Sequence, residues 1–257
     1  MNKSITFLLL FICTVSLGQP AVYTVANLHS HNDYEKPFPY WEAYNQGYGS
    51  IEADIFLKGD DLIIAHDTVQ LKMGRTLDSF YLQPLQQCIV KNKGYPYADK
   101  ASDLQLLIDI KTDSVATLNK LVEKLKAYPV ITSCARVKIV ITGNRPAMSA
   151  FTGYPSYIYF DGELYKEYTA KAIGKIEMLS DNFRRYSRWN GLDSIPLKDK
   201  NIIAALIAKA HQLHKKVRFW NAPDIINSWN VFMAMGVDYI NTDHITGAAT
   251  YLNQLQH

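Results

Sequence analysis

The sequence predicts a single α/β domain, a (β/α)8 TIM barrel, and three observations lead to this prediction. About eight short β-rich runs alternate with helical patterns over roughly 240 residues, the size of this fold. Nearly every predicted strand ends in polar residues. Hydrophobic residues make up 48% and charged residues 20% of the 257 residues, which is typical of a globular domain and excludes a disordered or fibrous chain. A doubly wound open sheet is the alternative fold.

The amino-terminal half supplies four of the predicted strands. They cover 22–28, 50–57, 61–65 and 104–110, and the predicted helices are 40–46, 77–90 and 114–127. Lys58-Gly59-Asp60 is a turn sequence, which makes 61–65 an antiparallel hairpin partner of 50–57. The nearly continuous apolar run at 104–110 is typical of a strand buried on both faces. Helical periodicity over 114–127 predicts one apolar face, formed by Leu118, Leu121, Val122 and Leu125.

The carboxyl-terminal half continues the alternation. Its predicted strands are 137–142, 157–160, 178–180, 216–220 and 237–241, and its predicted helices are 145–151, 198–213, 224–235 and 246–255. No internal repeat or linker interrupts the pattern. We therefore expect one domain.

The first 18 residues are predicted to be a secretory signal peptide. Lys3 precedes an apolar run over 5–15, and small residues follow it. We expect an exported chain, periplasmic or secreted, whose barrel domain covers 19–257. We expect no stable membrane insertion, because no later run is long and apolar enough. The net charge of +3, without a long basic run, predicts no nucleic-acid partner and leaves the oligomeric state open. Cys88 and Cys134 are compatible with buried thiols or with a disulfide.

Three acids within apolar strands predict a metal site. Glu52 and Asp54 are two residues apart on one strand, so their side chains share a face, and Asp109 lies in another buried strand. Carboxylates that face inward repel one another unless a cation separates them. Carboxylate oxygens suit one Mg²⁺ or Ca²⁺. Lys111 shares the face of Asp109, and it either neutralises the acids or holds a substrate anion.

Two histidines near strand ends predict acid–base chemistry. His31 follows the first strand, and His66 follows the hairpin strand. His29-Ser30-His31 has a second interpretation, because a His-x-His after a first strand is also how dinuclear metal hydrolases begin. His29 is therefore a secondary catalytic candidate.

The set His31, Glu52-x-Asp54, His66-Asp67, Asp109-x-Lys111, Trp220 and Thr242-Asp243 resembles the phospholipase C-like phosphodiesterase superfamily. This group includes glycerophosphodiester phosphodiesterases and sphingomyelinase D-type phospholipases. The resemblance spans nearly the whole chain after residue 18 in the same order, and the Glu-x-Asp followed by His-Asp is its most specific part. Asp109 as the third acid resembles the sphingomyelinase D branch. The Arg-Gly that follows the first histidine in glycerophosphodiesterases is absent, and so is the arginine expected to hold the phosphate.

The resemblance implies a metal-dependent phosphoric diester hydrolase that acts on a small phosphodiester, such as a glycerophosphodiester or a phospholipid. Glu52, Asp54 and Asp109 would bind one divalent cation, Mg²⁺ or Ca²⁺, and His31 and His66 would be the catalytic pair. We assign substrate binding to Lys111, Asn32, Trp220 and Asp243. The family also implies a route in which a neighbouring hydroxyl of the substrate attacks first and gives a cyclic phosphate.

Two other functions remain open on the sequence. A dinuclear hydrolase would use His29 and His31 as ligands and would need more histidines at later strand ends. A non-catalytic carbohydrate- or lipid-binding barrel would have lost some of its acid–base residues.

Overall fold

The computed structural model describes residues 20, 22–71 and 74–256; the predicted signal peptide lies outside these residues. One sheet contains nine strands: β1 (Leu28–Ser30), β2 (Ser50–Lys58), β3 (Asp61–Ile64), β4 (Leu104–Ile110), β5 (Val137–Gly143), β6 (Ile158–Glu163), β7 (Ile176–Asn182), β8 (Lys216–Trp220) and β9 (Ile240–Thr242). The helices are α1 (Trp41–Gln46), α2 (Gln83–Lys91), α3 (Ser114–Leu125), α4 (Pro129–Thr132), α5 (Ala170–Ile173), α6 (Leu197–Gln212), α7 (Ile226–Met235) and α8 (Ile245–Gln254).

The strand order confirms the predicted barrel. Eight parallel strands follow one another around the sheet in chain order, and β9 returns to pair with β1. Between β8 and β9 the ring is nearly closed by a parallel bridge between Arg218 and Tyr239. A doubly wound sheet instead reverses its strand order near the middle. The carboxyl ends of the eight strands therefore meet at one rim.

The predicted hairpin is also confirmed. β3 pairs antiparallel with β2, with Lys58 opposite Asp61, and Gly59 between them adopts a positive φ of 61°. This pair lengthens β2 beyond the barrel wall and brings the chain after β3 back over the rim. His66 reaches the rim by this path.

Apolar helical faces cover the outside of the barrel. On α3, Leu118, Leu121 and Leu125 are buried, as the periodicity predicts, and Val122 is half-buried against the core. Asp113 caps the amino end of α3 by accepting from two backbone N–H groups. A separate small cluster of Leu107, Val140, Met178 and Tyr239 fills the barrel interior. Cys88 and Cys134 are buried free thiols. Among the described residues no helix is long and apolar enough to cross a bilayer.

Two predicted elements are wrong in kind. A strand was expected over 22–28, but Val25–Asn27 is a 3-10 turn and β1 begins at Leu28. Side-chain capping explains this, because Thr24 Oγ1 accepts from the Ala26 N–H and Asn27 Oδ1 accepts from the Thr24 N–H. The helix expected over 145–151 is a 3-10 segment, Met148–Gly153, since Pro146 disfavours helical geometry at the residue before it.

Two short helices were missed. α4 and α5 each have four residues, which is too short to give a helical period in the sequence.

Candidate active site

The strand register builds an acid cluster at the rim. Asp54 on β2 lies directly opposite Asp109 on β4. Glu52 is two residues before Asp54 and therefore points to the same side of β2. One carboxylate oxygen from each of the three lies within 4.8 Å of the others. We call Glu52, Asp54 and Asp109 the acid triad.

The chemistry of the acid triad fits a hard divalent cation. Asp54 Oδ1 is buried and has no hydrogen-bond partner among the described residues. Burial, together with the charges of Glu52 and Asp109, raises the pKa of Asp54 to about 7, and burial also raises the pKa of Asp109. Such carboxylates are held together at a cost that a bound cation removes. Mg²⁺ and Ca²⁺ take oxygen ligands, so the triad could hold either one.

Gly143 gives Asp109 its space. A Cβ on Gly143 would lie 1.9 Å from Asp109 Oδ1, and the residue has a φ of +69°. Both features require glycine at the end of β5, which is next to β4 in the barrel. Any other residue would displace the Asp109 carboxylate.

Lys111 contacts two members of the acid triad. Its Nζ is 2.9 Å from Asp54 Oδ2 and 2.8 Å from Asp109 Oδ2. Burial opposes the charged form, but the two carboxylates raise the pKa of Lys111 above its usual range. Of the two predicted roles, the structure shows neutralisation of the acids. Lys111 also lines the cleft above them.

Arg218 is the main site residue that the sequence analysis missed. Its Nη1 is 2.9 Å from Glu52 Oε2 and 3.1 Å from Asn241 Oδ1. Burial alone would raise the pKa of Glu52, but Arg218 and His29 hold it well below the usual range. The signal was present: Val217 and Phe219 are buried apolar residues on the opposite side of β8, so alternation placed Arg218 inside the barrel.

His29 is a buried structural partner of this pair. Nδ1 lies 2.7 Å from Ser50 Oγ, and Nε2 lies 2.7 Å from Glu52 Oε2. Burial, reinforced by the Arg218 charge, lowers the pKa of His29 to about 4. Both ring nitrogens are engaged, and the side chain is not exposed. His29 therefore acts as a neutral brace for Glu52 in this arrangement.

His31 is held at the rim by Asp243. Its Nδ1 is 3.2 Å from Asp243 Oδ1, and the same oxygen accepts from Lys36 Nζ at 3.0 Å. Burial would lower the pKa of His31, but the hydrogen bond to Asp243 and the charges of Glu52 and Asp243 raise it. Asp243, predicted to bind substrate, thus orients a histidine in this structure.

His66 lies beside Asp54 and next to a tyrosine that the sequence analysis missed. Tyr34 Oη is 2.7 Å from Asp54 Oδ2 and 3.0 Å from His66 Nδ1. Asn32 Oδ1 accepts from the same hydroxyl at 2.9 Å. His66 Nδ1 is also 3.5 Å from Asp54. The Tyr34 hydroxyl therefore links a predicted catalytic histidine, a predicted metal ligand and a predicted substrate contact.

These groups surround one cleft of about 310 Å³. Its lining consists of His31, Asn32, Glu52, His66, Asp109, Lys111, Thr142, Gly143, Arg218 and Trp220. Seven of these ten were predicted from the sequence. A larger cavity of about 690 Å³, between the loops after β5 and β6, shares Gly143 but contains neither histidine. The concentration of acid, base and cationic groups identifies the smaller cleft as the candidate active site.

Comparison with known proteins finds the family resemblance that the sequence predicted. Residues 21–146 match the AIM6-like phosphodiesterase domain, and residues 216–246 match the Glycerophosphoryl diester phosphodiesterase family. Both matches are to phosphodiesterase families, so the chain is similar to members of the phospholipase C-like phosphodiesterase superfamily over both ranges. The first range contains both cleft histidines and the acid triad, and the second contains Arg218, Trp220 and Asp243. The predicted resemblance is confirmed.

Relatives within this superfamily are distant in sequence. Altered inheritance of mitochondria protein 6 of Eremothecium gossypii is 28% identical, covering 90% of this chain and 70% of its own length. The protein of the same name in Kluyveromyces lactis is 25% identical, with coverage of 90% and 73%. Among solved structures, a glycerophosphodiester phosphodiesterase from Parabacteroides distasonis superposes with a TM-score of 0.56 at 14% identity, covering 90% of this chain and 98% of that one. At this identity the likeness supports the barrel fold.

Proposed function

We propose that this protein is an exported, divalent-metal-dependent phosphodiesterase that uses His31 and His66 as its acid–base pair. One observation carries the proposal. A buried acid triad that fits a hard cation opens into a cleft lined by two histidines and two cationic side chains. The substrate class is a small phosphodiester, as the name of the Parabacteroides distasonis structural neighbour suggests.

The cleft is built to receive an anion. Lys111 and Arg218 both line it, and each is anchored by members of the acid triad. When bound, a divalent cation would supply positive charge to the phosphate oxygens in the transition state. Arg218 replaces, from β8, the arginine that the sequence lacks after the first histidine. A guanidinium is well suited to phosphate oxygens because its donors lie in one plane.

His31 is the better placed general acid. Its Nδ1 is engaged by Asp243, so Nε2 is the nitrogen left for a leaving-group oxygen. The raised pKa keeps the imidazolium populated nearer neutral pH. His31 would therefore protonate the departing alkoxide.

His66 would act as the general base. It is about half exposed, with Nδ1 beside Tyr34 and Asp54. Nε2 would take the proton from the attacking oxygen, which is a water or a hydroxyl of the substrate itself. Attack by a substrate hydroxyl would release the leaving alcohol and give a cyclic phosphate. Attack by water would release the same alcohol and give the phosphomonoester directly.

The structure argues against the two rival functions. In a dinuclear hydrolase His29 would be a ligand, but its nitrogens face Ser50 and Glu52. Within the described ranges, the acid triad is the one cluster of three potential metal ligands. A non-catalytic barrel would not need the two cleft histidines that are present here.

The experiment uses purified protein without residues 1–18, assayed on glycerophosphocholine and on bis(p-nitrophenyl) phosphate, with EDTA, Mg²⁺ or Ca²⁺. We expect turnover that EDTA abolishes. His31→Ala and His66→Ala should each reduce the rate on glycerophosphocholine by at least about a hundredfold, and the double variant should be little worse, because the pair acts as a unit. Bound metal should stay near the wild-type level in both. If His29→Ala strips the metal and His66→Ala stays active, the dinuclear alternative is correct.

Export is tested separately, by expressing the full chain and sequencing the amino terminus of the protein outside the cytoplasm. Cleavage after Gly18 is the expected result. An intact chain that stays in the cytoplasm would contradict it.

A further inference from the structure

Large apolar side chains are exposed on loops at the catalytic rim. Phe38, in the loop after β1, is 70% exposed; Leu192, between β7 and α6, is 77% exposed; Ile226, at the start of α7, is 51% exposed. All three lie after the carboxyl ends of strands, which is the face that carries the active site. Single exposed apolar residues are ordinary, but a group around one opening is not.

These loops touch one another. Asn227 Nδ2 donates to Gly191 O at 2.6 Å and to Asp193 O at 3.0 Å, which joins the loop before α6 to α7. Ile226 and Pro37 line the same surface depression, which joins α7 to the loop after β1. We call Phe38, Leu192, Ile225 and Ile226 the rim patch. Its residues lie on three loops that are in contact with one another.

The rim patch lies next to the catalytic histidine. Lys36, two residues before Phe38, is 3.0 Å from Asp243, and Asp243 holds His31. Trp220 is the last residue of β8; it is 39% exposed and lines the cleft. Ile225 follows five residues later, in the loop after β8. A surface that covers the rim patch would therefore meet the mouth of the cleft.

Two exposed basic side chains lie on the segment between β7 and α6 that also carries Leu192. Arg185 and Arg188 are exposed and precede Leu192. Arg185 pairs with Asp181 at 3.1 Å, while Arg188 forms no ion pair within the described part of the chain. Exposed apolar side chains together with exposed arginines on one of their loops are complementary to an anionic interface with an apolar interior.

We propose that the rim patch docks on the surface of a phospholipid bilayer that contains anionic lipid, without crossing it. The apolar side chains would enter the headgroup region, and Arg185 and Arg188 would contact lipid phosphates. The cleft would then face the phosphodiester groups of the lipid layer. Docking is independent of turnover; that the substrate is a membrane phospholipid rests on the proposed function.

The test is flotation of the protein, purified without residues 1–18, with vesicles. Vesicles of phosphatidylcholine mixed with phosphatidylglycerol should bind the protein, and phosphatidylcholine alone should bind it less. The triple variant Phe38→Ser, Leu192→Ser, Ile226→Ser should bind at least about tenfold more weakly, since each side chain loses a favourable transfer from water. Arg185→Gln with Arg188→Gln should remove the preference for the anionic vesicles.

A matched control uses exposed apolar residues at the opposite end of the barrel. Val90 in α2 and Leu255 after α8 are 63% and 54% exposed, and they lie at helix carboxyl ends, away from the rim. Val90→Ser with Leu255→Ser should leave vesicle binding unchanged. All variants should hydrolyse soluble bis(p-nitrophenyl) phosphate at the wild-type rate, because none of these residues belongs to the active site.

Three results would overturn the docking proposal. The first is that the wild type binds no vesicles, and the second is that the control variant loses as much vesicle binding as the triple variant. The third result is self-association of the wild type that the triple variant abolishes, which would assign the rim patch to a second copy of the chain. Vesicle binding without any phosphodiesterase activity would instead refute the proposed function and leave docking intact. Hydrolysis of soluble esters without vesicle binding would refute docking and leave the proposed function intact.

Discussion

Nδ1 of His31 lies 3.2 Å from Oδ1 of Asp243, across a sequence separation of 212 residues. The first and last strands of the barrel are neighbours, with Ser30 opposite Thr242, so closure of the ring creates this contact. Lys36 and His31 together hold the pKa of Asp243 below its usual range, against the effect of burial. An ionised Asp243 is therefore available to orient and charge His31.

Asp243→Asn should lower the pKa of His31, because the neutral amide no longer stabilises the imidazolium. If His31 acts as a general acid, the alkaline limb of kcat/KM for glycerophosphocholine will move to lower pH. Above that limb the loss should approach the roughly 10²–10⁴-fold typical of general acid catalysis. Hydrolysis of bis(p-nitrophenyl) phosphate should suffer less, since its leaving group departs without a proton. The measurement is the pair of pH–rate profiles.

Lys36→Gln is the control for this change. It removes the other partner of Asp243 and leaves the contact with His31 in place, so the alkaline limb should move less. An unchanged limb in Asp243→Asn would show that His31 is not the acid.

The sequence predicted most of the residues that line the candidate site, because the carboxyl ends of the strands meet at one rim in this fold. Asp54 and Asp109 could be placed near each other before the structure was known, since both lie within strongly apolar strands that end at one rim. The register that puts Asp54 directly opposite Asp109 could not be predicted from the sequence. It depends on the stagger of the whole barrel, which single strands do not encode.

Two site residues were missed for different reasons. Arg218 was overlooked although alternation along β8 indicates its inward position, because a lone arginine in a strand is usually at the surface; its contact with Glu52 depends on closure of the barrel. Tyr34 was one of 17 tyrosines, and nothing local distinguishes it. β1 was placed too early because its three residues include His29 and Ser30, which are polar and yet fully buried.

Asp54→Asn and Asp109→Asn should weaken binding of Mg²⁺ or Ca²⁺ by at least about 100-fold, because even loss of a hydrogen-bond partner behind a ligand typically costs about 10–100-fold. Isothermal titration calorimetry measures this directly. Asp161→Asn is the matched control. Asp161 is also buried in a strand, but its Oδ2 accepts from Thr142 and Ser180, outside the acid triad. Equal loss in all three variants would mean that general damage to the barrel, not ligation, explains the effect.

Lys111→Met should destabilise the metal-free protein and be largely rescued by metal. Without the ammonium, Asp54 and Asp109 lose the cation that contacts both. Lys111 is about a quarter exposed, so a cost of about 1–3 kcal/mol is expected, between that of surface and buried pairs. Urea denaturation in EDTA and in saturating Ca²⁺ measures the free energy of unfolding. A loss of stability that is the same in EDTA and in Ca²⁺ would show that a bound metal does not neutralise the carboxylates that Lys111 contacts.

Turnover provides the second test of Lys111. If it also contacts the substrate anion, metal should restore the stability of Lys111→Met but not its kcat/KM. Full recovery of both would limit Lys111 to neutralising the acids.

Asp33 supports the rim loop and should make stability depend on pH. Its Oδ2 accepts from the Tyr40 backbone N–H at 2.5 Å and from the Tyr81 hydroxyl at 3.0 Å. Burial nevertheless raises its pKa to about 6, against these hydrogen bonds. The folded protein then keeps a proton on Asp33 that the unfolded chain, with a pKa near 4, releases. The contribution of Asp33 to the free energy of unfolding is therefore fully present below about pH 4 and is lost as the pH rises through about 6.

The change is best measured against Asp33→Asn, which cannot titrate. The free energy of unfolding of the wild type, minus that of the variant, should fall by up to about 3 kcal/mol between pH 4 and 6, at about 1.4 kcal/mol per pKa unit. The difference should then stay flat up to pH 8. All other acids titrate equally in both proteins, so the subtraction isolates Asp33. A difference that rises with pH would show that the hydrogen bonds to Asp33 outweigh burial and that its pKa is depressed.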